Sequence, residues 1–232
     1  MKVQLRIQRF NPDVDGEPHF EDYTVDAEST DRVLDALLQV KGLLDGSLSL
    51  RKSCAHGVCG SDGMRINGRN GLACKILIRN VTQPIVVEPL KGFKIIKDLV
   101  VDMNAFFDKY KKVQPYLVNN DAAPEKERHQ TEKERSCFED STKCILCACC
   151  TTACPSFWSD PNYVGPASIV QAHRFIFDSR DQGAEERLQI LNEREGVWRC
   201  RTVFNCVEAC PRDIDITKAI GEVKRELLFK KI

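Results

Sequence analysis

The chain has little of what marks exported, membrane-spanning or substrate-converting proteins. No apolar run approaches the ~20 residues needed to span a bilayer, and the stretch from Ile95 to Val101 is broken by Lys97 and Asp98. Membrane association is therefore expected only through partners. The opening, MKVQLRIQRF, alternates apolar and polar residues and has no signal-peptide core, and no Arg-rich, Ser-rich leader is present. These features disfavour export and an unprocessed organelle precursor, while a mature processed chain fits. Neither sign of charge is in excess, with 34 basic and 34 acidic residues in 232, so no nucleic acid or other polyanion is implied as a partner. There is no Rossmann glycine fingerprint, no P-loop and no Ser/His/Asp or Cys/His constellation. No residue is therefore proposed as catalytic. The four histidines, His19, His56, His129 and His173, are scattered. His56 is expected at the surface or behind the ligands, and His173 as a packed, hydrogen-bonded helix residue.

Cysteine is what the chain has in excess: twelve residues, at spacings too tight for a disulfide framework and without an export signal to match one. Metal ligation is the favoured reading. Cys144, Cys147, Cys150 and Cys154-Pro155 have the bacterial ferredoxin spacing C-x2-C-x2-C-x3-C-P, in which the fourth cysteine serves the other run's cluster. A second run ends in Cys210-Pro211. Aligned backwards from there, Cys206 is its third position and Cys200 its first, and the second falls on Val203. Counting thiolates then gives four for one site (Cys144, Cys147, Cys150 and Cys210) and three for the other (Cys154, Cys200 and Cys206). The first set suits a 4Fe–4S cubane. The second leaves one corner without a ligand and predicts 3Fe–4S.

A third site lies upstream, in SCAHGVCGSDGMRINGRNGLAC. The plant-type 2Fe–2S pattern is C-x4-C-x2-C with a distant fourth cysteine. Here Cys54, Cys59 and Cys74 fit it, and Asp62 occupies the third position. A carboxylate can bind iron, so Asp62 is read as the fourth ligand. Gly57, Gly60 and Gly63 let the backbone wrap closely and aim N–H groups at sulfur. The two cysteines left over, Cys137 and Cys149, are assigned the role of buried small hydrophobes, with the Cys149 side chain directed away from the cluster.

The periodicity predicts α+β: an N-terminal β-grasp 2Fe–2S ferredoxin-like domain over 1–104, then an all-α bacterial ferredoxin-like two-cluster domain over 105–232. Val3, Leu5 and Ile7 alternate as a strand, and Phe20 to Val25 makes a second. Asp31 is expected to cap a helix carrying Val33, Leu34, Leu37 and Leu38, with Gly42 as its stop. Asn67-Gly68 marks a hairpin, and Ile85 to Val87 a short strand. Helices are expected over Asp102 to Tyr110, from Pro166 through Phe177, over about Glu185 to Asn192, and from Thr217 through Leu227. Residues 119–140, rich in charge, read as a solvated linker or docking arm.

RKSCAHGVCGSDG, NGLAC, KDLVVDM, CILCACC, CPSFW, FIFDSRD, WRCRTVFNCVEACPR and TKAI together resemble the iron–sulfur subunit of succinate dehydrogenase and the closely similar fumarate reductase. The resemblance covers nearly the whole chain in order. It implies docking on a flavoprotein subunit that oxidises succinate at FAD. Electrons would pass through the 2Fe–2S, 4Fe–4S and 3Fe–4S clusters to a quinone beside membrane anchor subunits, which often carry haem b. It places the chain peripherally on the cytoplasmic face of a bacterial plasma membrane. It also implies the ligand sets counted above, with Pro155, Ser156 and Trp158 near the quinone. The family commonly has a second tryptophan where this chain has Ser159, and a histidine where it has Arg201. An always-charged guanidinium cannot donate a proton as histidine can. Arg201 is read either as electrostatic help to a different quinone such as menaquinone, or as the partner of a carboxylate or haem propionate. Three rivals stand beside this reading: the same wire run in reverse, as a fumarate reductase; a free-standing soluble carrier; and a zinc-stabilised interaction module.

Overall fold

The computed structural model describes residues 1–229; residues 230–232, the end of the expected second domain, lie outside the described residues. The chain forms two compact units: Met1–Met103 with Ile145–Ala153 and Ala209–Pro211 in the first, and Asn104–Cys144, Cys154–Glu208 and the remainder in the second.

In the first unit, β1 (Lys2–Arg9) buries Val3, Leu5 and Ile7 and exposes the residues between them, as the two-residue period of a strand dictates. It pairs antiparallel with β2 (His19–Asp26). Helix α1 (Val33–Gln39) packs Val33, Leu34 and Leu37 into the core. Its start and stop differ from expectation. Arg32, not Asp31, is the N-cap residue, and the Asp35 carboxylate accepts its N–H at 3.0 Å, while Asp31 instead accepts from Glu28 N–H. Gly42 does not end the helix, which widens into a π-turn over Val40–Leu44 and closes at Asp45.

After the first cysteine loop come β3 (Gly63–Ile66) and β4 (Arg69–Leu72), joined by Asn67 and Gly68 at φ 46° and 83°. Both positive angles are those of a type I′ hairpin turn. Strand β5 (Ile85–Glu88) runs parallel to β1 and antiparallel to β3, giving a sheet of order β2-β1-β5-β3-β4. A mixed sheet crossed by one helix is the β-grasp arrangement predicted. The Asn67-Gly68 turn signal announced the β3–β4 hairpin, whereas the small hairpin of β6 (Ile95–Lys97) and β7 (Val100–Val101) was not announced, because it shows no clean alternation.

A buried polar cluster fixes the entry to the cysteine loop. Asp98, 1 % exposed, accepts from Arg9 Nε at 3.0 Å, Phe10 N–H at 3.0 Å and Ser49 N–H at 2.8 Å. Arg9 also meets Glu21, Tyr23, Asp45 and Ser47. A buried cation tolerates this position only because carboxylates surround it.

The second unit is helical: α2 (Asn104–Lys112) and α3 (Glu132–Ser136) precede the first run; α4 (Cys149–Thr152) belongs to the first unit; then follow α5 (Pro155–Ser159), α6 (Pro166–Ile176), α7 (Ala184–Asn192), α8 (Asn205–Glu208) and α9 (Ile216–Phe229). Helix α6 is buried on nearly every side and packs on α2, α7 and α9. Pro155 and Pro166 each open a helix at its first turn, where a missing N–H costs nothing. The 119–140 segment is less of a free linker than expected. Asn119 donates to Arg180 O at 2.6 Å, Gln130 donates to Asp178 at 2.8 Å, and Phe138 is buried.

Candidate metal centres

The loop 51–62 wraps Cys54. Backbone N–H groups of His56, Val58 and Cys59 approach its sulfur at 3.5, 3.4 and 3.3 Å. These bonds, His56 foremost, lower the Cys54 pKa to about 6, with the Cys59 thiol assisting. Ala55 and Gly57 take φ of 57° and 82° to turn those groups inward. Successive N–H groups around one point form a nest for a negative ligand, and a thiolate bearing iron is such a ligand. His56 is exposed and its Nδ1 contacts Cys54 O at 2.5 Å, so it braces the loop.

Cys74 lies across the hairpin and is buried. Burial, then the Asp62 carboxylate, pushes its thiol up to about 12. Asp62 is itself 2 % exposed and accepts Cys74 N–H at 2.6 Å. The four donors thus form two pairs, Cys54 with Cys59 and Asp62 with Cys74, and Cys54 also acts on Cys74. Two donor pairs with a nest beneath one sulfur fit a two-iron cluster. Iron would also remove the proton that burial holds on Cys74, since a coordinated thiol is deprotonated.

The two later runs share one local backbone. Cys144 and Cys200 each end a 3-10 turn, with φ, ψ of −64°, 125° and −65°, 123°. Leu146 and Ala148 in the first run, and Thr202 and Phe204 in the second, all have φ between 55° and 63°. Each run then enters a four-residue helix, α4 or α8, carrying Cys150 or Cys206. Every feature of the second run lies 56 positions after its counterpart in the first. Val203 therefore stands where Cys147 stands, as the backwards alignment expects.

In the first unit, Cys147, Cys150 and Cys210 all act on buried Cys149. Cys149 is fully buried, as expected, but its thiol does not stand apart from the ligands. It hydrogen-bonds to Cys147, lowering the Cys147 pKa while its own is raised. The helix register, one residue before Cys150, brings it there. Cys137 contradicts expectation: it is exposed and its thiol donates to Lys133 O at 3.3 Å, because α3 presents that face to solvent. In the second unit, burial, then the charges of Cys154 and Cys200, raises the Cys206 pKa to about 12. No cysteine is in a disulfide. Among the described residues, no three His, Cys, Asp or Glu side chains close on one point as single-ion ligands do.

Gly60, at φ 70°, lets the first loop press on the first run: a Cβ there would fall 2.9 Å from both Cys147 Cβ and Ile145 O. Gly63 approaches Cys147 O as closely. Asn70 donates to Cys149 O and Thr152 Oγ1 at 3.0 and 2.9 Å, and Lys75 to Pro211 O at 2.8 Å. Nothing local in the sequence marks Asn70 or Lys75, since their partners are far along the chain. Around Cys154, Pro155 and Ser156 are half-buried; Trp158 and Arg201 are exposed. Ser156 Oγ donates to Arg199 O at 2.9 Å, tying α5 to the turn before Cys200. No helix among the described residues is long and apolar enough to cross a membrane.

Comparison with known proteins accords with this geometry. Residues 4–108 match the family model of a 2Fe–2S iron–sulfur cluster binding domain, and residues 136–211 that of a 4Fe–4S dicluster domain. A solved structure, the Mycobacterium smegmatis Sdh1 complex in the apo form, contains a chain of the same fold at TM-score 0.90 and 24 % identity, covering 99 % of this chain and 97 % of that one. The mitochondrial succinate dehydrogenase [ubiquinone] iron–sulfur subunit 1 of Oryza sativa subsp. japonica is 44 % identical over 94 % of this chain and 80 % of its own length. The succinate dehydrogenase iron–sulfur subunit of Coxiella burnetii is 44 % identical over 97 % of both chains. With both domain types matched and 44 % identity to two such subunits over nearly its whole length, the chain belongs to the succinate dehydrogenase iron–sulfur subunit family.

Proposed function

We propose that this chain carries electrons from the FAD of a flavoprotein subunit, where succinate is oxidised, to a quinone held beside membrane anchor subunits. Cys54, Cys59, Asp62 and Cys74 hold the 2Fe–2S cluster. Cys144, Cys147, Cys150 and Cys210 hold the 4Fe–4S cluster, and Cys154, Cys200 and Cys206 the 3Fe–4S cluster. When bound, each cluster takes up and releases one electron at a time; the chain supplies the rest. Its N–H nest holds negative charge at Cys54, its glycines bring the first loop against Cys147, and its cysteine spacing fixes each cluster type.

The observation that carries the reading is the 56-residue structural repeat with a valine at one ligand position. Val203 has no donor atom, so the second site of what is otherwise a four-iron pattern has three thiolates. That asymmetry between two like-folded runs supports a 4Fe–4S and a 3Fe–4S cluster in place of two cubanes. The exposed Trp158, Val203 and Phe204, on the segments bearing Cys154 and Cys200, favour an anchor-bound subunit over a free soluble carrier, since covering large apolar side chains with a partner removes them from water. Pro155, Ser156, Trp158 and Arg201 border the quinone on this reading. Haem b, where present, belongs to the anchor. The complex sits on the cytoplasmic face of a bacterial plasma membrane.

The test is electron paramagnetic resonance of the anaerobically purified native complex during a redox titration. Three centres are expected: a three-iron signal in the oxidised state and two- and four-iron signals on reduction. Iron and acid-labile sulfide far below three clusters per chain, or a colourless zinc protein, would refute the reading.

A further inference from the structure

Of the four histidines only His173 is buried, at 3 % exposure. It lies on α6 with its ring against Phe177, centroids 4.4 Å apart. Both ring nitrogens are engaged. Nδ1 is 2.9 Å from Ser141 Oγ, and Nε2 is 2.8 Å from a Glu222 carboxylate oxygen on α9. Ser141, 1 % exposed, belongs to the 3-10 turn that ends at Cys144, and its carbonyl accepts Cys144 N–H at 3.4 Å. At the other end Glu222 lines an open surface cavity of about 440 Å³ with Lys218, Gly221 and Arg225. A line of hydrogen-bonding groups thus runs from solvent to the backbone of a proposed iron ligand.

A buried histidine with two partners is usually a packing element, and the choice of partners is what argues for more. A neutral ring donates through one nitrogen and accepts through the other, while a charged ring donates through both. The Glu222 carboxylate accepts from either form of the ring. The Ser141 hydroxyl can give or take a hydrogen bond by rotating. The ring therefore keeps both hydrogen bonds in either charge state, which a carbonyl or amide partner at Nδ1 would not allow. The charged groups facing it are Glu222 and Lys218 from α9 and Asp140 from the 3-10 turn. Burial lowers the His173 pKa, against the pull of Glu222 and Asp140 and with the push of Lys218. Burial thus favours the neutral ring, and added negative charge nearby favours the charged one.

We propose that His173 takes up one proton when the 4Fe–4S cluster carried on Cys144 gains one electron. This deepens the function proposed above and rests on Cys144 being a ligand of that cluster. The electron comes from the upstream centre. The proton comes from water through Glu222, and it is returned when the electron moves on. Reduction that draws in a proton is favoured at low pH. The cluster's potential therefore falls as pH rises between the ionisation of His173 in the oxidised and in the reduced protein. The slope approaches about 59 mV per tenfold change in proton activity, the limit for one electron and one proton.

The experiment is a redox titration of the native complex followed by electron paramagnetic resonance, repeated from acid to mildly alkaline pH. The 4Fe–4S potential is expected to show this slope, while His173→Gln, which keeps polar groups but cannot titrate, gives a flat profile. Glu222→Gln leaves the ring in place and is expected to move the sloping window to lower pH, so it decides the matter if His173→Gln fails to assemble. A flat native profile, or one that neither variant alters, overturns the proposal. Absence of any four-iron signal in the native complex overturns the cluster assignment, and this proposal with it.

Discussion

On the proposed reading, cluster chemistry turns on single side chains at Asp62 and Val203. The Asp62 carboxylate is buried and takes Cys74 N–H at 2.6 Å, so Asp62→Ala removes both the proposed fourth donor and a hydrogen-bond acceptor. The second loss alone is worth about 1–3 kcal/mol. The expected result is loss of the 2Fe–2S absorption and resonance, while Asp62→Cys keeps the cluster at an altered potential. An unchanged spectrum in Asp62→Ala would make the aspartate a bystander. At the other site, Val203→Cys adds a thiol where the first run has Cys147. It is expected to replace the oxidised three-iron signal with a four-iron signal on reduction; persistence of the three-iron signal would mean that the pocket, not the ligand count, sets occupancy. Both residues were legible in the sequence because ligand spacing is a local property. Cys137 and Cys149 were less so, since exposure and sulfur–sulfur contact depend on neighbours brought in by folding.

At the scale of elements, close approach and buried charge hold the centres in place. Gly60→Ala puts a methyl group 2.9 Å from Cys147 Cβ and Ile145 O in a left-handed conformation, which costs roughly 1–2 kcal/mol for the backbone alone. A lower melting temperature and slower electron transfer out of the 2Fe–2S cluster are expected, measured by thermal denaturation and rapid-freeze resonance. In the second unit, Arg187 and Asp181 form an ion pair with both side chains 0 % exposed, and Arg187 also donates to Gln114 O and Tyr116 O. Asp181→Asn leaves the guanidinium buried without its counter-ion and is expected to cost about 3–5 kcal/mol, read as a fall in denaturation midpoint. The long helices and the strands β1, β2 and β5 were visible from period and proline placement. The π-turn after α1 and the β6–β7 hairpin were not: Gly42 carries no requirement to stop a helix that packing can extend, and the two short strands are held by each other, not by their own pattern.

At the level of the complete chain, no helix among the described residues is long enough and apolar enough to span a membrane, and the proposed docking to an anchor rests on exposed apolar side chains. Trp158 and Phe204 are more than half exposed. The double change Trp158→Ser with Phe204→Ser is expected to keep full iron content and all three resonances while the chain is lost from sedimented membranes and quinone reduction falls. Retention on the membrane would show that other surfaces dock the anchor.

The amino-acid order alone sets where the candidate iron ligands stand, how many each proposed site has and in what order the sites follow, because these depend on covalent spacing over a few residues. It also determined the two domain types, through strand and helix periods. Only the tertiary structure decided that Asp62 faces Cys74, that Gly60 lies against Cys147, that Asp98 and Arg9 anchor the loop entry and that His173 joins Glu222 to Ser141. Those residues are separated by tens of positions, and they meet because packing the core excludes water and leaves each buried polar group to find its partner inside the protein.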